Sequence, residues 1–370
     1  MANSSMALTT SKRALIFSLS YLPLVGGAEV AIKEITDRIN DIDFDMITLR
    51  FDKAHPKFEK IGNINVYRIG GGLGYLSKIF FVPQAALFAV RRQYDFYWAM
   101  MTYMLFPVAM ARIIGDRTNY VLTLQDGDPF TRVFNRWFIL PFRFLLSYGF
   151  KHAVRVQAIS HFLAKWSGRS DAVVVPNGVD IGRFLNPKSR ILNPNDVTLI
   201  TTSRLVPKNG VGDIVEAMKF LPSAIKLKVI GSGVLESNLK LKIKNCKLED
   251  RVEMLGDIKH DDIPKHLHSA DIFIRPSLSE GQGISFIEAM AVGLPVIATP
   301  VGGISDFLID GETGLFCNVN DPKSIAEQVN KLISDKLLRD RIIENARKMV
   351  REKYDWDLIA REMKGKVFNV

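Results

Sequence analysis

Three observations predict that this 370-residue chain is an α/β protein of two doubly wound, Rossmann-like domains facing a central cleft. Short apolar segments alternate with helical segments along most of the chain, which is typical of parallel sheets covered by helices on both faces. The length suits two domains of roughly 150 residues each. A polar segment, KSRILNPND at 188–196, divides the alternating segments into two sets and is interpreted as a linker.

The first domain is assigned to residues 1–187. Its first strand, at 13–20, leads through the loop YLPLVGGAE into a helix whose apolar positions include Val30, Ile32 and Ile35. An uncharged run at 96–111 is shorter than the ~20 residues that a membrane-spanning helix needs, so it predicts a buried strand followed by a helix. The remaining strands of this domain are predicted at 44–50, 65–69, 94–100, 119–125, 154–160 and 172–178, and the turn PNGVD at 176–180 ends the set.

The second domain is assigned to residues 188–354, and the C-terminal helix at about 355–370 is expected to pack back on the first domain. Its strands are predicted at 197–205, 226–233, 251–256, 271–277 and 295–303. Ligands of such sheets bind at the carboxyl ends of the strands, and two facing sheets leave a cleft between them.

The amino-acid composition bears on the cellular location of the protein and on its partners. Two cysteines, Cys246 and Cys317, make no disulfide framework, and the polar start MANSSMALTTSKR lacks the apolar core of a signal peptide. These features predict a cytoplasmic protein. The net charge is +10, and residues 1–185 hold 22 basic and 14 acidic residues, so most of the excess lies in the first domain. No nucleic-acid recognition motif accompanies the charge, so nucleic acid is not expected as a partner.

The basic residues concentrate between Asp128 and Asp171, where no acidic residue occurs. This surface is expected to dock on anionic lipid headgroups, which would place the protein on the inner face of the cell membrane. The alternative is an ordinary core helix with a solvated basic rim. The basic residues are Arg132, Arg136, Arg143, Lys151, Arg155, Lys165 and Arg169, interleaved with Phe130, Phe134, Trp137, Phe138, Phe142, Phe144 and Phe150.

The segment SEGQGISFIEAMAVGLPVIATPVGG at 279–303 carries the clearest chemical signal. Its helix is predicted to begin near Gly283 and to end at about Val292, with Gly293 as its stop. The first turn, including Gly283, Ile284 and Ser285, then offers free N–H groups and the positive end of the helix dipole to an anion. Glu280 precedes this turn and Glu288 lies inside the helix, so one ligand with a sugar, a diphosphate and a ribose explains both carboxylates. A solvated glutamate and a helix-capping one are the alternative.

A diphosphate also needs cations and room for the backbone. The segment SRLVPKNGVGD at 203–213 follows a predicted strand, and there Arg204 can bind phosphate bidentately while Lys208 adds a point charge. A basic solvated loop is the alternative. In the first domain, Gly26 and Gly27 join the first strand to the first helix and allow a ligand to approach the backbone closely.

The spacing Glu-x7-Glu within EGQGISFIEAMAVGLPVIATPVGG resembles the donor-binding signature of the retaining glycosyltransferases of family 4, which have the GT-B fold. The segments at 302–316 and 176–180 are similar to that family as well. The resemblance implies that Glu280 contacts hydroxyls of the transferred sugar and Glu288 contacts the ribose. It also implies that Gly26 and Gly27 line the cleft opposite the donor phosphates, and that the base is held near 251–257, partly by backbone groups.

Two positions depart from the family pattern. Asn209 stands where a lysine usually precedes the glycine, and Lys208 comes one residue earlier. Many relatives have a histidine and an aspartate where this chain has Gln125 and Asp126. Glutamine can hydrogen-bond a sugar but cannot act as a base. Gln125 and Asp126 are predicted to bind the acceptor, whereas Asp128 is either an alternative to Asp126 or a residue that shapes the turn before Pro129.

The resemblance implies a retaining reaction on one face of the sugar, in which the departing phosphate itself takes the acceptor's proton. Glu280, Arg204 and Lys208 are the predicted catalytic residues. No metal or other cofactor is expected, because the six histidines lack ligand partners at metal-binding spacing and no DxD pair occurs in the donor region.

The resemblance implies a nucleotide-diphosphate sugar and a glycan or lipid-linked acceptor as partners, and the basic surface adds an anionic membrane surface to these predictions. A nucleotide-sugar epimerase of the same architecture and a non-catalytic sugar-binding relative are the alternatives.

Overall fold

The computed structural model describes residues 11–71, 76–128, 134–135, 139–184, 192–193 and 196–370. Within this part of the chain, two sheets are flanked by helices, and the predicted fold class is confirmed. Most of the predicted linker at 188–196, and several of the basic and aromatic residues between 129 and 138, lie outside the described residues.

The first sheet has eight strands in the order β3-β4-β2-β1-β5-β6-β7-β8, all parallel except β3, which runs antiparallel to β4. The strands are β1 (Lys12–Phe17), β2 (Ile42–Leu49), β3 (Phe58–Ile61), β4 (Ile64–Ile69), β5 (Phe96–Met100), β6 (Asn119–Leu124), β7 (Arg155–Ala158) and β8 (Val173–Val174). The described helices are α1 (Gly27–Thr36), α2 (Leu76–Val90), α3 (Leu105–Ile113), α4 (Arg143–His152), α5 (His161–Ala164) and α6 (Ile181–Phe184).

The second sheet has six parallel strands in the order β11-β10-β9-β12-β13-β14. The strands are β9 (Thr198–Thr202), β10 (Lys226–Ile230), β11 (Val252–Gly256), β12 (Ile272–Arg275), β13 (Val296–Ala298) and β14 (Leu315–Phe316). The helices are α7 (Val211–Ala217), α8 (Glu236–Asn245), α9 (Ile263–His268), α10 (Ile284–Val292), α11 (Pro322–Ser334), α12 (Lys336–Lys353) and α13 (Trp356–Glu362).

The order of strands reverses beside β1 in the first sheet and beside β9 in the second. At these points neighbouring loops diverge to opposite faces and leave a crevice at the carboxyl ends of the strands. The loops after β1, β6, β9 and β12 therefore lie at the cleft. Most of the predicted strands end earlier in the structure than in the prediction, because their last residues, such as those of SRL at 203–205 and PS at 276–277, belong to these loops.

The sequence did not predict two of the strands, β3 and β14, and the physical reason differs between them. β3 has the sequence FEKI and alternates between exposed and half-buried positions, so it lacks the apolar run that predicted the other strands. β14 has only two residues, too few for any periodicity, and it forms because β13 pairs with it.

The end of the chain returns to the first sheet. Phe368 packs against the rings of Phe44, Phe96 and Trp98, with centroid distances of 6.2, 5.5 and 4.9 Å. Upstream, the N–H of Val179 donates to the carbonyl of Tyr354 at 2.8 Å. These contacts support the proposal that residues from about 355 onward belong structurally with the first domain. Among the described helices, none is both long and apolar enough to cross a membrane.

Replacing Phe368 by alanine should destabilise the first domain by about 3–5 kcal/mol, because the change leaves a cavity among three buried aromatic rings. Urea unfolding followed by tryptophan fluorescence measures the effect, since Trp98 contacts the ring. The control is Leu337→Ala, whose side chain is 84% exposed. Equal unfolding midpoints for the two variants would contradict the packing described here.

Candidate active site

The centre of the candidate site is the start of α10, which faces the first domain. The helix begins after Gly283 and ends at Gly293, as predicted, and both glycines have positive φ angles, of 89° and 94°. A Cβ on Gly283 would lie 2.5 Å from the ring of Phe286, so no larger residue fits at this turn. The first-turn N–H groups and the positive end of the helix dipole are an arrangement that suits an anion.

Glu280 lies directly before this turn and is 8% exposed. One carboxylate oxygen pairs with Arg275, and the other accepts the N–H of Gly281 at 3.0 Å. The backbone carbonyl of Glu280 accepts the N–H of Gly303 at 3.1 Å, and a Cβ on Gly302 would come within 1.9 Å of that oxygen. The two glycines at 302–303 are therefore required by the close approach of two loops.

Arg275 is a member of the site that was missed from the sequence. Its Nη1 donates to Ser285 Oγ at 2.8 Å, and its Nη2 donates to Asn209 Oδ1 at 3.2 Å as well as pairing with Glu280. In the sequence, Arg275 appears only as a residue near the end of the strand predicted at 271–277. A signal was available, since an arginine that ends an otherwise apolar strand has no reason to be there for the core.

The loop after β9 presents its two cations differently. The side chain of Arg204 is exposed. Lys208 instead reaches the first domain, where its Nζ lies 3.4 Å from Asp128 Oδ1. Asn209 is buried and donates to the carbonyl of Arg204 at 2.7 Å, so it shapes this loop. Lys208 therefore lies at the cleft as predicted, but in this structure its partner is a carboxylate of the first domain.

The glycine pair of the first domain meets α10 across the cleft. Gly26 precedes α1 in an extended conformation, and a Cβ on Gly27 would lie 3.6 Å from Ile284 Cδ1. Ile284 itself packs against the core of the first domain. The prediction grouped Gly26, Gly27, Gly283, Ile284 and Ser285, and the structure brings them together. The hydroxyl oxygen of Ser285 accepts a hydrogen bond from Arg275, and its O–H remains a donor beside the main-chain N–H groups of this turn.

Gln125 and Asp126 have structural partners that the sequence did not reveal. The amide of Gln125 exchanges hydrogen bonds with that of Asn177, at 3.1 and 3.2 Å. The carboxylate of Asp126 accepts the hydroxyl of Thr102 at 2.9 Å and is buried. Burial raises the pKa of Asp126, and the hydrogen bonds from Thr102 oppose that rise. The carboxylate of Asp126 anchors the turn after β5, and the expectation that it binds the acceptor stays a prediction.

The loop at 279–283 is attached to the first domain by its side chains and by close backbone contact. Gln282 is 1% exposed, accepts the N–H of Asn177 at 2.7 Å and donates to its carbonyl at 3.0 Å. Ser279 donates to the carbonyl of Gly127 at 3.2 Å. The loop that carries Glu280 is thus held between the two domains.

Glu288, inside α10, is 5% exposed and has a partner that was also missed. The Nε2 atom of His260 lies 2.6 Å from Glu288 Oε1. The ring of His260 in turn lies 5.9 Å from that of Phe184, at the end of α6. His260 had been treated as one of six scattered histidines, because no sequence spacing connects it to a helix almost thirty residues away. In the part of the chain that the structure describes, no three potential ligands are grouped to hold a metal ion.

This chain is similar to known proteins in its sequence and in its fold. Residues 183–349 match the family described as glycosyl transferases group 1. An uncharacterized glycosyltransferase of Methanocaldococcus jannaschii is 24% identical over 345 residues, covering 91% of this chain and 93% of the relative. N-acetyl-alpha-D-glucosaminyl L-malate synthase of Bacillus anthracis is 27% identical over 366 residues, covering 92% and 93%.

The chain is a glycosyltransferase. A solved structure of Anabaena HepE in complex with UDP and glucose shares its fold, with a TM-score of 0.80 at 22% identity over 97% of this chain and 100% of that one. The GT-B fold of the glycosyltransferase is thereby shown.

Replacing His260 of the glycosyltransferase by alanine should weaken nucleoside diphosphate binding by roughly tenfold, because the buried carboxylate of Glu288, which is predicted to contact the ribose, loses its hydrogen bond to the His260 ring. Isothermal titration with UDP and with GDP measures the change. His152→Ala is the matched control, since His152 lies on the surface of the first domain and stacks on Tyr148. Unchanged affinity in His260→Ala would remove Glu288 from the nucleotide site.

Proposed function

We propose that the enzyme transfers a sugar, with retention and without a metal ion, from a nucleotide-diphosphate sugar to a glycan or lipid-linked acceptor. The observation that carries the proposal is the pair of buried carboxylates, Glu280 and Glu288, on either side of the first turn of α10. A buried carboxylate needs a partner, and hydroxyl groups of a sugar and a ribose would add to the partners that these two already have. The main chain between them suits the diphosphate.

The cations of the site support the same assignment. Charge develops on the diphosphate as the sugar departs, and fixed positive groups at that point lower the barrier. Arg204 is exposed beside the cleft and offers a planar fork of donors that matches a phosphate. Lys208 shares its charge with Asp128, so Arg204 is the principal phosphate ligand in this proposal. The backbone at 251–257, where Gly256 has a φ of 67°, is the proposed place of the base.

Retention and the acceptor rest on the resemblance to family 4 and on the names of relatives. Glu280 orients the donor sugar, and the acceptor enters from the side of the first domain. The departing phosphate receives the proton of the acceptor. Gln125 is positioned beside Asn177, where it can hydrogen-bond but cannot take a proton.

Thermal unfolding in the presence of UDP-glucose, UDP-N-acetylglucosamine and GDP-mannose tests the proposal. At least one of these should raise the melting temperature by several degrees, since a ligand present at about 100 times its Kd stabilises a protein by about 2.7 kcal/mol. With that donor, the anomeric configuration of the product, read by NMR, should match the donor. EDTA should leave the rate within about twofold, because no metal ion is invoked in this site. A product of inverted configuration would contradict retention, and restoration by Mg²⁺ of a rate lost to EDTA would contradict metal independence. No shift of the melting temperature with any donor would contradict the binding of a nucleotide-diphosphate sugar.

Replacing Arg204 by alanine should weaken nucleoside diphosphate binding by about 10- to 100-fold and lower the rate as well, because a charge-assisted hydrogen bond to phosphate is lost. Calorimetry with UDP and GDP gives the affinity. Arg341→Ala is the control, because Arg341 is also exposed on the second domain and donates to the carbonyl of Gly311. If both variants bind equally, Arg204 does not contact the phosphates.

An anionic membrane surface is part of the proposal, in altered form. Arg132 and Arg136 lie outside the described residues. Of the others, Arg169 pairs with Asp171, and Phe134 and Phe150 are buried, so these three residues are not part of an exposed basic face. Among the described residues of the stretch at 129–170, the exposed ones include the basic residues Arg143, Lys151 and Lys165 and the aromatic residues Phe142 and Phe144.

The start of α2 continues the exposed surface at Phe142 and Phe144. Phe142 and Phe144 are 49% and 66% exposed, and Ile79 and Phe80 of α2 are 55% and 49% exposed. The ring of Phe106, on α3, lies 6.3 Å from that of Phe142 and 5.4 Å from that of Tyr103, whose hydroxyl donates to the carbonyl of Lys78. Exposed aromatic rings beside a cation suit shallow insertion among lipid headgroups.

The double variant Phe142→Ser/Phe144→Ser should reduce cosedimentation with vesicles of phosphatidylglycerol, because the buried apolar area is lost, and wild-type binding should weaken with salt. Leu337→Ser is the control, since Leu337 is more exposed than either phenylalanine but lies on the second domain. Equal binding of all three proteins, or equal binding to neutral phosphatidylcholine vesicles, would argue against this surface.

A further inference from the structure

Arg275 is the most densely connected side chain at the candidate site, although nothing so far gives it a part in the reaction. It ends β12, and only 11% of its side chain is exposed. Its guanidinium pairs with Glu280, donates to Ser285 and to Asn209, and lies 5.2 Å from the ring centroid of Phe286. These contacts belong to three separate segments of the second domain.

The position is unfavourable for a cation taken alone. A positive charge beside the start of a helix is opposed by the helix dipole, and a buried charge loses its hydration. A structural role in the core would be served equally well by an apolar residue. The carboxylate of Glu280 compensates for the charge, so the two groups are retained together as a pair.

The geometry of the pair fixes Glu280 rather than Arg275. One oxygen of Glu280 is held by the guanidinium and the other by the N–H of Gly281 at 3.0 Å. Because Arg275 is itself held by Ser285 and Asn209, the carboxylate has one orientation relative to the first turn of α10. Asn209 also donates to the carbonyl of Arg204, so the same group connects Glu280 to the loop that carries the phosphate-binding arginine.

We propose that Arg275 is a positioning residue for sugar transfer that acts through Glu280. This inference rests on the function proposed above. In it, Arg275 makes no bond to the donor; it sets the direction in which the carboxylate meets the sugar hydroxyls. The expected signature is a loss of rate without a loss of nucleoside diphosphate affinity, because the phosphate is bound by Arg204 and the main chain.

The test compares Arg275→Met and Arg275→Lys with wild type, using whichever of UDP-glucose, UDP-N-acetylglucosamine and GDP-mannose stabilises the protein. We expect kcat to fall about 100-fold in Arg275→Met, since a misplacement near 1 Å can cost that much, while the Kd for the nucleoside diphosphate stays within about threefold. Lysine should restore part of the rate, because it can pair with Glu280 but cannot also reach both Ser285 and Asn209.

The control is Arg339→Met. Arg339 is 8% exposed and donates to the carbonyl of Leu332 at 2.6 Å, so its loss should lower the melting temperature and leave kcat per folded molecule unchanged. If Arg275→Met does not fold, Arg275→Lys decides the question by the same measurements.

A double-mutant cycle with Glu280→Gln isolates the coupling. If Arg275 acts through Glu280, adding Arg275→Met to Glu280→Gln should cost less than about threefold in kcat, far below its cost in the wild type. The inference is overturned if the losses of kcat in the two single variants add up in the double variant. It is also overturned if kcat of the single variants stays within about twofold of wild type, or if nucleoside diphosphate affinity is lost while kcat is unchanged. If wild-type protein neither binds nor turns over any of the three donors, the proposed function fails first and this inference fails with it.

Discussion

The two hydrogen bonds between Gln282 and the main chain of Asn177 are the interaction on which the candidate site depends. Both residues are buried, and a buried amide that loses its partners carries a desolvation cost of about 1–3 kcal/mol. Satisfying the amide therefore holds the loop at 279–283 against the first domain. Glu280 lies two residues before Gln282, and α10 begins two residues after it, so the carboxylate and the anion-binding turn are placed by the same contact.

Small residues make this contact possible. A Cβ on Gly281 would lie 3.0 Å from the carbonyl of Asp126, and one on Gly303 would lie 1.9 Å from the carbonyl of Gly281. Three backbone segments thus meet at a distance that excludes side chains. Glycine loses more conformational entropy on folding than other residues, and this loss opposes the ordering of the loop unless other contacts hold it. Here the loop is held by Gln282 and by Ser279, which is why it can be rigid and rich in glycine at once.

Each of the three carboxylates of the site has a nitrogen-bearing partner, and one of these pairs, Lys208 with Asp128, joins the two domains. Arg275 pairs with Glu280, Lys208 with Asp128 and His260 with Glu288, while Arg204 remains exposed. Each pair places a carboxylate where a ligand's hydroxyl groups or phosphates would compete for the same partners. Binding of a nucleotide sugar would therefore exchange existing partners rather than fill isolated charges, and the energetic gain is smaller than the count of charges suggests.

The sequence by itself determined the fold class and the bounds of the helix α10, for which an anion-binding role is proposed. Strand periodicity and the glycines at 283 and 293 are local signals, and local signals suffice for elements whose ends are set by backbone conformation. The partners of the site residues came only from the tertiary structure. Arg275 with Glu280, His260 with Glu288 and Gln282 with Asn177 are pairs separated by 5, 28 and 105 positions, and no periodicity links them. Asp126 shows the same limit, because its burial against Thr102 depends on how the turn after β5 packs, and no spacing in the sequence indicates it. Which polar groups meet depends on how the strands are ordered within each sheet and how the two domains face each other, and that order is settled by burial summed over the whole chain.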